Sequence, residues 1–219
     1  MSLDIRAFTV GPVAENTYIV RQPGTDRAVI VDPGDEAERL LTAIGELQIQ
    51  LDAILLTHTH FDHVGAVAPV ARATGAPVYC PKIEVPVLAD IMAFVPWPGM
   101  GPYESYDADH EIEGGEHLDL AGLHIDVIFT PGHSPGHVTY AIAHEDDDAT
   151  TLASGDVLFE GSVGRVDLPG GDWPTLAASI EKLLNAYPDE TLVLPGHMGQ
   201  TTLGRERATN PFLAEIASR

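Results

Sequence analysis

The sequence predicts a mixed α/β (α+β) fold: two β-sheets packed together, with helices on the outside. Three observations lead there. Short apolar, β-branched runs occur both early and late in the chain. Segments with helical spacing of apolar residues lie between them. No linker and no internal repeat divides the 219 residues, of which 44% are hydrophobic and 20% charged, an ordinary balance for a globular protein with a sizeable core.

The elements follow in order. Ile5–Val10, Thr17–Arg21 and Ala28–Val31 read as strands, with Pro23–Asp26 as the turn between the last two. Glu36–Leu47 places apolar residues on one helical face. Ala53–Leu56 is a short apolar run that reads as a buried strand, Val64–Ala73 a helix ending near Gly75, and Val78–Cys80 another strand. Phe94–Tyr106, FVPWPGMGPYESY, is a long loop rich in Pro, Gly and aromatics, readable as a lid, an oligomer contact or plain surface. His117–Leu120 and His124–Thr130 pair around a turn at Gly122. Val138–Ala143 and Thr151–Ser154 are joined by the acidic turn Glu145–Asp148. Leu176–Leu184 is a helix, Thr191–Leu194 a strand and Pro211–Ala217 a closing helix.

Composition excludes several classes of function. The net charge is −22, with only 11 Lys and Arg. A nucleic-acid binder needs cations to displace the phosphate counterions, and an anionic membrane surface makes the same demand, so neither partner is expected. The single cysteine, Cys80, has no intramolecular partner. No apolar run approaches the roughly 20 residues of a spanning helix, and MSLDIRAFTV lacks the pattern of a signal peptide. A cytoplasmic location is the default expectation.

The stretch LLTHTHFDHVG, Leu55–Gly65, concentrates three of the chain's 10 histidines. His58 and His60, two apart in extended chain, project to the same side, and Asp62 continues it. His63 falls where the following helix starts, so a strand-to-helix loop can converge all four side chains on one small volume. Neutral imidazole and carboxylate are ligands that Zn²⁺ accepts. Further candidates share one local pattern, a β-run that ends in glycine followed by a metal-competent residue. His133 follows Gly132 in FTPGH, Asp156 follows Gly155 in LASGD, and His197 follows Gly196 in LVLPGH. Ligands gathered from the ends of different strands are how a rigid scaffold fixes a site.

These motifs, H-x-H-x-D-H, then G-H, G-D and G-H, resemble the metallo-β-lactamase superfamily from Thr57 to His197. The resemblance implies an αββα sandwich of two mixed sheets in one domain, residues 1–219. It also implies two divalent metal ions, with zinc suited to the donor set and Fe or Mn compatible. His58, His60 and His133 would hold the first, Asp62, His63 and His197 the second, and Asp156 would bridge. A metal-bound hydroxide would then be the nucleophile, so no Ser or Cys is needed, and Asp62 could orient it.

Within the superfamily, β-lactam-cleaving enzymes generally lack an aspartate at the place of Asp156. SGDVLFEGSVGRVDLPGGD, Ser154–Asp172, and TTLGRERATNPFL, Thr201–Leu213, resemble instead the glyoxalase II (hydroxyacylglutathione hydrolase) group, especially its short relatives. That resemblance implies hydrolysis of an S-acyl thioester such as S-lactoylglutathione. Arg165, in GSVGRVD, falls where the family places a basic substrate-binding residue, and its competing reading is a surface pair with Asp167. Two departures bear on the thiol carrier. No C-terminal helical domain of the kind with which larger glyoxalase II enzymes grip glutathione is expected, and Met198-Gly199 stands where they tend to have an aromatic residue. His137 reads as a structural histidine or as a partner that orients a ligand. The alternative activity is a persulfide dioxygenase of the same superfamily, with a single iron held by two histidines and an aspartate. A non-catalytic binding module would be expected to have lost ligands, and all are present.

Overall fold

The computed structural model describes residues 3–95, 97–144 and 149–217. A first mixed sheet contains β1 (Asp4–Val10), β2 (Glu15–Arg21), β3 (Arg27–Val31), β4 (Gln50–Leu55), β5 (Val78–Pro81) and β6 (His110–Ile112), in that order. Hairpin connections make β1, β2 and β3 antiparallel, and helical crossovers make β3 to β6 parallel. The second mixed sheet contains β7 (His117–Leu120), β8 (Leu123–Phe129), β9 (Val138–His144) and β10 (Thr151–Gly155). A small ribbon follows, β11 (Leu158–Phe159) with β12 (Ser162–Val163). The second sheet is completed by β13 (Leu192–Pro195), parallel to β10, and β14 (Thr201–Thr202), in the order β14-β13-β10-β9-β8-β7.

Strand alternation builds three apolar layers. Tyr18, Val20, Val29, Val31, Ala53 and Leu55 face Leu123, Ile125, Val127, Tyr140 and Ile142 of the second sheet and form the core between the sheets. Ile19, Ile30 and Ile54, one residue out of phase, pack instead under α1 (Ala37–Glu46) and α3 (Val67–Thr74), through Leu40, Ile44, Val67 and Val70. Behind the second sheet, Ala141, Leu152 and Val193 pack with Leu176, Ile180 and Leu183 of α6 (Trp173–Ala186). Asp172 caps α6 by accepting from the Thr175 N–H, and Pro174 in its first turn needs no donor partner. The result is the αββα sandwich expected from sequence. No described helix is long and apolar enough to cross a membrane.

Differences from the sequence reading are local. The helix expected over Val64–Ala73 is two, α2 (Phe61–Val64) and α3. Gly65 separates them, and a Cβ there would press on the Gly34 carbonyl and the Tyr103 ring. Phe94 lies not in a loop but at the end of a short helix, α5 (Ile91–Phe94), which follows α4 (Val85–Leu88). The proposed turn Glu145–Asp148 lies outside the described residues, as does Pro96 within the long loop. Two C-terminal helices, α7 (Leu203–Thr209) and α8 (Pro211–Ala217), close the chain over the second sheet through Leu203, Leu213 and Ile216.

Candidate metal centre

All seven candidate ligands meet at one end of the sandwich, each carried to the same place by a strand. β4 ends at Leu55 and delivers His58, His60, Asp62 and His63 on the following loop and α2. His133 follows β8, Asp156 follows β10 and His197 follows β13, so both sheets contribute. Gly132 and Gly155 adopt positive φ, 130° and 48°, and make the sharp exits from their strands. Gly196 serves close approach instead: a Cβ there would collide with the Asp156 carboxylate and lie 2.7 Å from the His63 ring.

The donors form two groups. His58 Nε2 lies 3.1 Å from His60 Nδ1, which lies 2.8 Å from His133 Nε2, so three imidazole nitrogens face one another. In the second group, His197 Nε2 is 3.3 Å from Asp62 Oδ2, and His63 Nε2 is 3.9 Å from the same oxygen. Asp156 lies between the groups. Its Oδ1 is 3.4 Å from His63 Nε2, and its Oδ2 is 3.4 Å from His133 Nε2 and 3.5 Å from His197 Nε2. His58, His63, His133 and Asp156 are buried.

Whether these residues suit a metal is tested by their unmet bonding. His63 Nε2 and Asp156 Oδ1 are buried and have no hydrogen-bond partner, a costly condition in a folded interior. Three imidazole nitrogens pointed at each other leave at least one lone pair with no proton to share. A cation between the donors satisfies all of these atoms. The nitrogen and oxygen donors, without thiolate, fit a divalent transition metal.

Electrostatics agree. Burial, reinforced by the surrounding histidines, holds His58 well below its ordinary pKa and pushes His60 down to about 4, so both rings are neutral at pH 7, the form that can bind a metal. Burial would also lower His63 and raise Asp156, but their mutual attraction wins and moves each the other way. Burial alone would raise the Asp62 carboxyl, but His63 and His197 hold it below its ordinary value.

Surrounding groups fix the ligands, and the sequence reading missed most of them. Asp32 accepts from the Thr57 N–H at 2.7 Å, from the Thr57 hydroxyl at 2.6 Å, and pairs with His63 Nδ1 at 3.0 Å. That contact fixes the His63 tautomer and turns Nε2 toward Asp156. His133 Nδ1 similarly donates to the Arg165 carbonyl at 2.8 Å. Buried Glu84 accepts from the Thr59 hydroxyl, the Ser134 hydroxyl and the Gly136 N–H, at 2.8, 2.7 and 2.7 Å, and so ties the His58–His60 loop to the His133 loop. His137 joins none of the ligand groups. Its Nε2 accepts from the Asp156 N–H at 3.0 Å and its Nδ1 faces the Thr130 hydroxyl at 3.1 Å. A usable signal for Asp32 was present in VDPGD, a β-run ending in an acidic residue, as at Asp156. Glu84 offered none.

The cluster forms the floor of a cavity of about 630 Å³. His60, Asp62, His133, Asp156 and His197 reach it from below, and Ile83, Ile91, Phe94, Val95, Trp97 and Leu168 wall it. Trp97, from the long loop, stands edge-on to Phe61 with ring centroids 5.6 Å apart. Arg165 also lines the cavity, yet its guanidinium is held by Asp167 through contacts of 2.6 and 2.7 Å and lies 5.9 Å from the Trp97 ring centre.

Comparison with known proteins agrees on the superfamily, while the similar proteins differ in the activity their names carry. The sequence model of the metallo-beta-lactamase superfamily matches residues 10–197. The hydroxyacylglutathione hydrolase GloC of Haemophilus influenzae is 38% identical over 193 residues, covering 85% of this chain and 87% of its own. The crystal structure of the B3 metallo-beta-lactamase BLEG-1 superposes with a TM-score of 0.88 at 40% identity, covering 96% of this chain and 99% of its own. A further crystal structure, of a protein in a di-iron-bound form, superposes with a TM-score of 0.80 at 43% identity, covering 95% of this chain and all of its own (100%).

Proposed function

The chain belongs to the metallo-beta-lactamase superfamily, and on that premise we propose that it is a binuclear metallohydrolase that cleaves an S-acyl thioester of the S-lactoylglutathione type, with residues 1–219 as one domain. One observation carries the reading: two groups of nitrogen and oxygen donors, bridged by Asp156, open onto the floor of a cavity large enough for a small molecule. The likeness to a hydroxyacylglutathione hydrolase supports the choice of substrate class. His58, His60 and His133 would hold one ion, Asp62, His63 and His197 the other. Zinc suits the donors, and the di-iron relative keeps iron in view. Bound there, two divalent ions supply a Lewis acid for the thioester carbonyl and lower the pKa of the attacking water.

The chain's own residues would do the rest. Asp62, kept ionised by its histidine neighbours, accepts a hydrogen bond from the attacking water and orients it toward the carbonyl. Phe94, Val95 and Trp97 exclude bulk water from the floor. Arg165 at the cavity wall would meet a substrate carboxylate by exchanging it for Asp167.

A mononuclear iron persulfide dioxygenase is the second reading. The unpartnered His63 Nε2 in the second donor group favours two ions over one. The decisive experiment incubates metal-loaded protein with S-lactoylglutathione, with a thiol persulfide plus oxygen, and with a β-lactam as a third arm because a 40% identical structure is a B3 metallo-beta-lactamase. Thioester turnover that a chelator abolishes and Zn²⁺ restores is expected. Oxygen uptake or β-lactam cleavage without thioester turnover would replace the reading. In Arg165→Ala, KM should rise much more than kcat falls, and an unchanged KM would return Arg165 to the role of partner to Asp167.

A further inference from the structure

We propose that the outward face of the β7–β8 hairpin is a separate divalent-cation site formed by His117, Asp119 and His124, with Asp126 orienting His117. The register of the hairpin creates it. His117 stands opposite Asp126, and Asp119 opposite His124. Alternation turns Leu118, Leu120, Leu123 and Ile125 into the core between the sheets, so these four polar residues share the opposite face.

Their geometry is that of a ligand set. His117 Nδ1 pairs with Asp126 Oδ1 at 2.7 Å. This is the carboxylate–histidine arrangement that fixes a metal ligand's tautomer, and it leaves Nε2 as the ligating atom. That Nε2 is 3.4 Å from Asp119 Oδ1, and the same oxygen accepts from His124 Nδ1–H at 2.6 Å, a proton that an incoming cation would displace. One donor atom from each of the three residues lies within 4.8 Å of the others. Donors around a tetrahedral zinc with bonds near 2.0–2.1 Å are about 3.3 Å apart. The 3.4 Å contact matches that spacing, and the 2.6 Å hydrogen bond must lose its proton and open before both atoms can share an ion.

The hairpin register makes the two rings diagonal neighbours on one face. They stack with centroids 5.5 Å apart and planes inclined by 21°. At that separation one divalent ion can meet a nitrogen of each neutral ring. Two imidazoles and a carboxylate suit Zn²⁺, Cu²⁺ or Ni²⁺ better than Mg²⁺ or Ca²⁺. The net charge of −22 raises the local concentration of any cation. The set shares no residue with the buried cluster. At the protein surface with three protein ligands, it would hold its ion more weakly and exchange it readily.

The test dialyses metal-loaded protein against rising free Zn²⁺ and measures bound zinc, alongside histidine-ring ¹⁵N spectra of the wild type. The wild type should take up one zinc more than the double variant His117→Ala/His124→Ala at the same free Zn²⁺. The His117 Nε2 and His124 Nδ1 resonances should shift together with that uptake. Asp126→Asn should keep the extra zinc with affinity lowered at least about tenfold. Equal zinc uptake by wild type and double variant would overturn the site. So would ring resonances that stay fixed in the wild type, a readout that does not depend on how the variant folds. An unchanged affinity in Asp126→Asn would remove Asp126 from its orienting role.

Discussion

At Asp32 one carboxylate does two things. By accepting from the Thr57 N–H and hydroxyl it sets the path of the chain into His58, and by pairing with His63 Nδ1 it leaves Nε2 facing Asp156. Its own backbone sits at φ 48°, a left-handed conformation that Asp tolerates better than most residues. Asp32→Asn keeps the size but turns one acceptor into a donor, and that donor must face either Thr57 or His63. Metal affinity should fall about 10- to 100-fold, read as metal retained against a graded chelator series. Retention equal to wild type would show that the orientation of His63 does not depend on Asp32. Cys80 is the contrasting residue. It is buried, and burial pushes its thiol pKa up, so it packs as a small apolar side chain of the helix-facing layer.

Among elements, the strand ends matter more than the strands. The parallel pair β3–β4 places Asp32 beside the exit of β4, and the parallel pair β10–β13 places Asp156 beside Gly196. The single turn Lys82–Glu84 after β5 brings Glu84 under both histidine loops. Removing it in Glu84→Ala leaves the Gly136 N–H and the Ser134 hydroxyl without their acceptor, while the Thr59 hydroxyl keeps only its 3.3 Å contact with the Glu84 backbone carbonyl. The cost is about 1–3 kcal/mol for each group that stays unsatisfied. Melting temperature and metal content should fall together, and Glu84→Gln, which keeps one carbonyl oxygen for Ser134 and Gly136, should recover most of both. A Glu84→Ala protein with full metal content would make Glu84 a stabilising residue without a role in positioning the ligands. The same elements show what the sequence could reveal. Two patterns, each local to a few residues, made the candidate ligands legible: His133, Asp156 and His197 each follow a strand end and a glycine, and His58, His60, Asp62 and His63 crowd the one loop after β4. Asp32 and Glu84 act on partners 25 and 52 residues away, and only the folded chain brings those together. The longer strands were legible as apolar, β-branched runs, whereas β6, β11 and β12 have two or three residues each and exist through pairing alone. The break between α2 and α3 depends on how closely Gly34 and Tyr103 approach Gly65, which no periodicity reports.

For the whole molecule, the cluster is a joint between two sheets. His58, His60, Asp62 and His63 leave the first sheet, and His133, Asp156 and His197 leave the second. Direct hydrogen bonds also cross the gap. Asn16 donates through Nδ2 to the Pro195 and Met198 carbonyls, Tyr18 donates to the Pro195 carbonyl, and Tyr140 to the Leu56 carbonyl. These bonds and the apolar core hold the sandwich without help from an ion, so the metal-free protein should still fold. It would then keep His63 Nε2 and Asp156 Oδ1 buried and unpartnered, with ring nitrogens crowded together. Binding that relieves this condition acts on the native state alone, and so it raises the stability of the entire two-sheet unit. At a free metal concentration of about 100 times Kd the gain is about 2.7 kcal/mol, which for a chain of this size raises Tm by about 5–10 °C. Calorimetry before and after chelation, with metal content measured on the same samples, checks this. A single transition that moves down on chelation and returns when metal is restored is the expected result. Complete metal removal with an unmoved Tm would mean that the ions do not join the sheets, and that the convergence of ligands from both serves chemistry alone.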